Sequence, residues 1–147
     1  MSFMFASADL VNSPTISSWN VSNVTLMEGV FANADSFNQP LNNWDVSNVT
    51  DMDNMFSGNN VFNQALDNWD VSAVTTMFRM FYNATAFNQP LDNWDVSNVT
   101  DMGEMFKQSA YNQPLAGWNT SSVTRMSQLF YDCPYNHPLN SWDVSNV

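Results

Sequence analysis

The sequence predicts an α/β solenoid of about six stacked coils, each 24–25 residues long, with a parallel sheet on one face and short helices on the other. Three observations predict it. The six tryptophans, Trp19, Trp44, Trp69, Trp94, Trp118 and Trp142, follow one another at intervals of 25, 25, 25, 24 and 24 residues. A fixed interval of this size marks an array of stacked units. Between them one pattern recurs: W-[DN]-[VT]-S-x-V-T-x-M-x-x-[MVL]-F, a short variable piece, then [FY]-N-[QH]-[PA]-L. Within each repeat the apolar period also changes, from alternation to helical spacing.

Taken in order, residues 43–47 alternate apolar and polar side chains, the period of a half-buried strand. Residues 49–56 place apolar groups at Val49, Met52, Met55 and Phe56, the period of about two helical turns. Ser47 or Asn48 would serve as N-cap, and Asp51 would sit in the first turn. Residues 63–66, with Pro in place of Ala65 in four repeats, then turn the chain back to the next Trp. The last two repeats each lose one residue, between Phe106 and Tyr111 and between Phe130 and Tyr135, as a surface loop permits. Met1, Met4 and Phe5 match Met52, Met55 and Phe56, with Val11, Asn12, Pro14, Ile16 and Trp19 following. The whole chain, 1–147, therefore reads as one solenoid with partial repeats at both ends. A unit this small cannot bury its apolar face alone, so neighbours stack, with strands ~4.8 Å apart.

The columns of the repeat give the expected core. They are the Trp file, Ile16 with Leu41, Leu66, Leu91, Leu115 and Leu139, two valine files, and Phe5, Phe31, Phe56, Phe81, Phe106 and Phe130. All ten methionines fall in two further columns. Three residues after each Phe the side chain is mostly small: Ala8, Ala34, Asn59, Ala84, Ser109, Cys133.

Composition narrows the function. Fourteen acidic residues against three basic ones leave a net charge of −11, which cannot neutralise nucleic-acid phosphates or bind an anionic membrane surface. No apolar run approaches the ~20 residues of a membrane span. One cysteine and one histidine exclude an internal disulfide, a cysteine-based zinc cluster and a His-rich metal site. With four glycines and 22 asparagines, turns must be made largely by Asn and Asp.

No nucleophile–base pair or phosphate-cradling loop stands out, so neither catalysis nor a cofactor is expected. His137 occupies a column otherwise filled by Gln39, Gln64, Gln89 and Gln113, and reads as a turn residue; Cys133 reads as a buried, inert thiol. Asn12, Asn38, Asn63, Asn88, Asn112 and Asn136 form the strictest polar column, expected to ladder from coil to coil at a corner. Alternation turns Asp45, Ser47, Asp70, Ser72, Asp95, Ser97, Asn119, Ser121, Asp143 and Ser145 outward as one stripe, the candidate interaction face. Three adjacent carboxylates, Asp45, Asp70 and Asp95, repel one another. Bonds to the following Ser and solvent are the expected relief, with a weak Ca²⁺ site as the alternative. Thr25, Thr50, Thr75, Thr100 and Thr124 read as helix N-caps. Six N-x-S/T sequons, at Asn20, Asn23, Asn48, Asn83, Asn98 and Asn119, follow mostly from the repeat wording.

The run Leu41-x-x-Trp44-x-Val46 resembles the L-x-x-L-x-L core of leucine-rich repeats. The stretch Val49-Thr50-x-Met52-x-x-Met55-Phe56 resembles the treponemal-type leucine-rich repeats of BspA-like surface proteins. The W-D-V-S-N-V-T-x-M wording and F-N-Q-P-L are closer still to an uncharacterised repeat of mycoplasma and other bacterial surface lipoproteins. The resemblance spans nearly the whole chain. It implies a leucine-rich-repeat solenoid and an extracellular or cell-surface role in adhesion, without common catalytic residues. Within these residues no lipoprotein signal, anchor or capping repeat is expected.

The expected function is a non-catalytic surface interaction module for a protein or glycan. The alternative is a structural subunit that stacks head to tail into a fibre. The ends support the alternative: the repeat breaks off at Val147 two residues before the M-x-x-M-F that opens at Met1. Such a contact generates open filaments when its rotation does not close.

Overall fold

The computed structural model describes residues 1–8 and 12–147, so the place given to Val11 in the repeat lies outside the described residues. The chain winds as a stack of coils, each registered on the next by hydrogen bonds 23 to 26 residues apart. The repeat and its columns are as expected, but the secondary structure is not. Among the described residues the only helix is a turn of 3-10 helix at Pro14–Ser18, and no strand or sheet forms. Parallel pairing is confined to single-residue bridges joining Leu26, Asp51, Thr76, Asp101 and Arg125 in succession. The α/β solenoid with a parallel sheet and a row of short helices, and the leucine-rich-repeat fold with it, is thereby overturned.

What forms instead is a coil built of β-turns. The carbonyl of Leu41 accepts from Trp44, that of Val46 from Val49, that of Met52 from Met55, and that of Phe56 from Asn59, at 2.9 to 3.2 Å. Each apolar i, i+3 pair is thus the two inward-pointing ends of one turn. The residues between them are Asn42-Asn43, Ser47-Asn48, Asp53-Asn54 and Ser57-Gly58, which are turn formers. Residues 49–56 cannot be helical because Asn54 has a φ of 56°, and Gly58 just beyond has 68°. One file of such left-handed residues runs Phe3, Gly29, Asn54, Arg79, Glu104, Gln128; a second runs Ser7, Asn33, Gly58, Asn83, Gln108, Asp132. These kinks aim alternate N–H groups along the stack rather than back along the coil. The N–H groups of Met52, Asn54, Phe56 and Gly58 reach the carbonyls of Thr76, Phe78, Met80 and Tyr82 at 2.7 to 3.1 Å.

The core fills the centre of the coils. Phe31, Phe56, Phe81 and Phe106 are fully buried and, with Phe5 and Phe130, stack at 5.6–5.8 Å between centroids. A second aromatic file, Phe37, Phe62, Phe87, Tyr111 and Tyr135, lies against it; Phe81 and Phe87 are 4.0 Å apart within one coil. Burying each such ring contributes roughly 1.5–3 kcal/mol. The Trp file is locked differently. Each indole N–H donates to the Leu-column carbonyl of the preceding coil: Trp44 to Ile16, Trp69 to Leu41, Trp94 to Leu66, Trp118 to Leu91 and Trp142 to Leu115, all at 2.9–3.0 Å.

Candidate interaction face

Three polar files and one hollow mark the surface. The first file follows the tryptophans. Buried Trp44 and Val46 hold Asp45 outward, and the same turn repeats along the stack, so Asp45, Asp70, Asp95, Asn119 and Asp143 are all exposed. Each folds back onto its own serine. The Asp45 carboxylate accepts the Ser47 hydroxyl at 2.6 Å and N–H at 3.2 Å, and Asp70 takes Ser72 in the same way. Ser97, Ser121 and Ser145 donate their N–H groups to Asp95, Asn119 and Asp143. The Ser47 hydroxyl and N–H hold the Asp45 carboxyl below its ordinary range, as Ser97 does for Asp95. Among the described residues no three His, Cys, Asp or Glu side chains gather as a metal site would need.

The threonine file is also exposed, but N-capping is overturned, since no helix follows it. The hydroxyls of Thr50, Thr75, Thr100 and Thr124 instead donate to the carbonyl of the threonine one coil back, at 3.1–3.2 Å.

The asparagine column is the ladder expected of it, working as an acceptor. The Asn63 side-chain oxygen receives the Asn88 N–H at 3.0 Å and the Gln89 amide at 3.1 Å. Asn38 and Asn88 do the same for the coils that follow them. His137 takes the place of the Gln, its Nε2 lying 3.1 Å from the Asn112 carbonyl. The Cys133 thiol, half-buried rather than buried, donates to the Tyr111 carbonyl.

The hollow went unforeseen. It encloses about 380 Å³ and is walled by Asp53, Thr75, Thr76, Phe78, Thr100, Asp101 and Arg125. It lies where two columns are irregular: Glu28, Asp53, Phe78, Gly103 and Ser127 share one position, and Leu26, Asp51, Thr76, Asp101 and Arg125 another. Gly103 leaves room for the Phe78 ring, which a Cβ there would meet at 3.3 Å. Asp53 Oδ1 accepts the Thr76 hydroxyl at 2.5 Å and the Phe78 N–H at 2.7 Å. Burial pushes the Asp53 carboxyl up, the two bonds counteract it, and the nearby Asp51 and Asp101 charges add to it. Arg125 reaches Asp101 Oδ2 at 2.7 Å while its side chain stays largely in solvent. Variable columns of this kind, set among regular ones, are the sequence signal that locates such a hollow.

The other cations are engaged beside it. Glu104 is bridged by Arg79 and Lys107, each at 3.1 Å. Burial works to raise its carboxyl, but the bonds and charges of those two cations outweigh it. Arg79 also lies over the rings of Phe78 and Tyr82.

These features define a turn-built repeat solenoid with a polar surface. A family model described as a Mycoplasma protein of unknown function, DUF285, matches residues 1–111 and again 64–147. The chain belongs to that family. No curated protein and no solved structure matches it.

Proposed function

We propose that the chain is a non-catalytic interaction module of a bacterial cell surface, and that the hollow beside Phe78 takes a neutral glycan. The observation that carries this reading is the composition of the hollow: one aromatic ring, three threonines, two carboxylates and a guanidinium, converging on a space that a sugar ring fills. An aromatic face suits the C–H face of a sugar, and the hydroxyl and charged groups suit its polyol edge. The charge of −11 disfavours an acidic glycan. The surface location is supported by the likeness to BspA-like proteins in the V-T-x-M-x-x-M-F wording alone, the leucine-rich-repeat fold having fallen away. Labelled chain on an array of neutral and sialylated oligosaccharides is the test. Neutral glycans are expected to bind, binding is lost in Phe78→Ala and Asp101→Asn, and Asp45→Asn leaves it unchanged. Absence of neutral-glycan binding, or binding indifferent to Phe78→Ala, overturns the reading; capture by protein-coated control spots alone would point to a protein partner instead.

A further inference from the structure

The Phe78 ring that walls the hollow also begins a shelf outside it. The Arg79 guanidinium carbon lies 4.9 Å from the centroid of Phe78 and 5.3 Å from that of Tyr82, so one cation bridges two rings of the same coil. The Lys107 ammonium, from the next coil, stands 5.8 Å from the Tyr82 centroid. Glu104 ties the two cations together, at 3.1 Å from each. Phe78, Arg79, Tyr82 and Lys107 are all half-buried, so each is held from beneath and still meets solvent.

The stacking of coils does not call for these side chains. Other coils carry Ala32, Ser57 and Lys107 at the position of Tyr82, and Gly29, Asn54 and Glu104 at that of Arg79. All keep one register: the N–H groups of Gly29, Asn54, Arg79 and Glu104 each reach the next coil at 2.8 to 3.0 Å. The charges of the hollow and the shelf also balance one for one. Arg125 pairs with Asp101, Glu104 sits between Arg79 and Lys107, and Asp53 completes the count. All three basic side chains of a chain with a net charge of −11 are thus gathered in one neutral patch. An acidic or basic ligand would disturb these pairs without any net attraction. A neutral polyol meets aromatic faces together with donors and acceptors that are already fixed in place.

We propose that the glycan site does not end at the hollow: a second sugar of the same ligand lies on the Tyr82 ring, with Arg79, Glu104 and Lys107 along its hydroxyl edge. This second subsite rests on the reading of the hollow as a neutral-glycan site, and narrows the ligand from a single sugar to an oligosaccharide of at least two residues. The ligand runs along the coil, from Phe78 to Tyr82, rather than along the stack. Rings supply apolar contact at both subsites, and the ion pairs hold the polar groups between them at little further ordering cost.

Arrayed oligomers of glucose, galactose and N-acetylglucosamine, one to four residues long, test it with the labelled 147-residue chain. Wild-type binding is expected to rise about two- to tenfold between one and two residues, the effect of one aromatic contact. Tyr82→Ala should abolish that rise and leave binding of the single sugar unchanged. It should also fold, since Ala32 fills the same position in another coil. Tyr82→Phe keeps the ring and should keep the rise, whereas Phe78→Ala should lose binding at every length. A rise with length that survives Tyr82→Ala overturns the second subsite. So does a Tyr82→Ala protein that loses single and double sugars alike, because the ring then only supports the hollow. A wild type that binds single sugars and gains nothing from length removes the second subsite and leaves the hollow standing. One that binds none of these oligomers removes both.

Discussion

The indole N–H of Trp69 lies 2.9 Å from the carbonyl oxygen of Leu41, a group that also accepts the backbone N–H of Trp44 at 2.9 Å. One carbonyl therefore closes the turn of its own coil and fastens the next coil to it. Two columns, Leu and Trp, are coupled by it, and each coil is tied to its neighbour by a buried bond as well as by packing.

Replacing an indole with a phenyl ring should uncouple them. Trp94→Phe removes the 3.0 Å bond to Leu66 and part of the buried ring, while the Leu66 carbonyl keeps the Trp69 N–H. The expected loss is about 2–3 kcal/mol, combining one buried hydrogen bond with a modest cavity. Urea denaturation reads it; a loss below half a kilocalorie would place the stabilisation in ring burial alone.

The asparagine ladder makes a sharper prediction, because its oxygen accepts and, among the described residues, its amide makes no bond. Asn88→Ala leaves the Asn112 N–H and the Gln113 amide without a partner, at a cost of about 1–2 kcal/mol. Asn88→Asp retains the acceptor and should recover most of that stability at neutral pH. If Asp is as damaging as Ala in parallel melts, the ladder depends on amide donation instead.

The columns of this chain were legible because identical residues fall at one interval, and stacking them leaves little freedom in what faces inward. The turns were not, because apolar residues at i and i+3 suit one face of a helix and the two ends of a β-turn equally well. Asn42-Asn43 and Ser47-Asn48, lying between such pairs, carried the deciding information: turn formers in both central positions favour the turn. The indole bonds were hidden for another reason. Their partners are backbone carbonyls, and no residue identity at Leu41 or Leu66 announces one. Of the candidate face, the Asp45–Ser47 turn was readable as a local pair, whereas the Phe78 hollow joins residues of four successive coils, from Asp53 to Arg125.

The left-handed positions predict opposite effects at two sites. Gln108 holds φ at 58° and Gly58 holds 68° at equivalent places in their coils. Gln108→Gly relieves backbone crowding and should stabilise by about 0.5–1 kcal/mol. Gly58→Ala introduces a Cβ that collides with the Asn33 side chain in an unfavourable backbone region, and should cost about 1–2 kcal/mol. Thermal melts of both variants check the pair, and equal shifts of one sign would contradict a common left-handed requirement.

Two carboxylate environments should make stability depend on pH in opposite senses. Burial raises the pKa of Asp53, so the fold holds that proton more tightly than the unfolded chain does. Its stabilising contribution is complete below the unfolded value near 3.8 and is lost as pH rises through the raised folded value. Asp45 behaves in reverse: the Ser47 hydroxyl and N–H lower its pKa, so its contribution is present above the ordinary carboxylate value and is lost as pH falls through the folded one. Asp53→Asn keeps an oxygen for the Thr76 hydroxyl and the Phe78 N–H without the charge. It should therefore melt above the wild type at neutral pH, with the difference closing in acid. Ser47→Ala should melt below the wild type at neutral pH, with the difference also closing in acid. Melting temperatures measured from acid to neutral pH separate the two limbs. An Asp53→Asn protein that melts below the wild type at neutral pH would mean that the negative charge at Asp53, set among the threonines of the hollow, supports the fold.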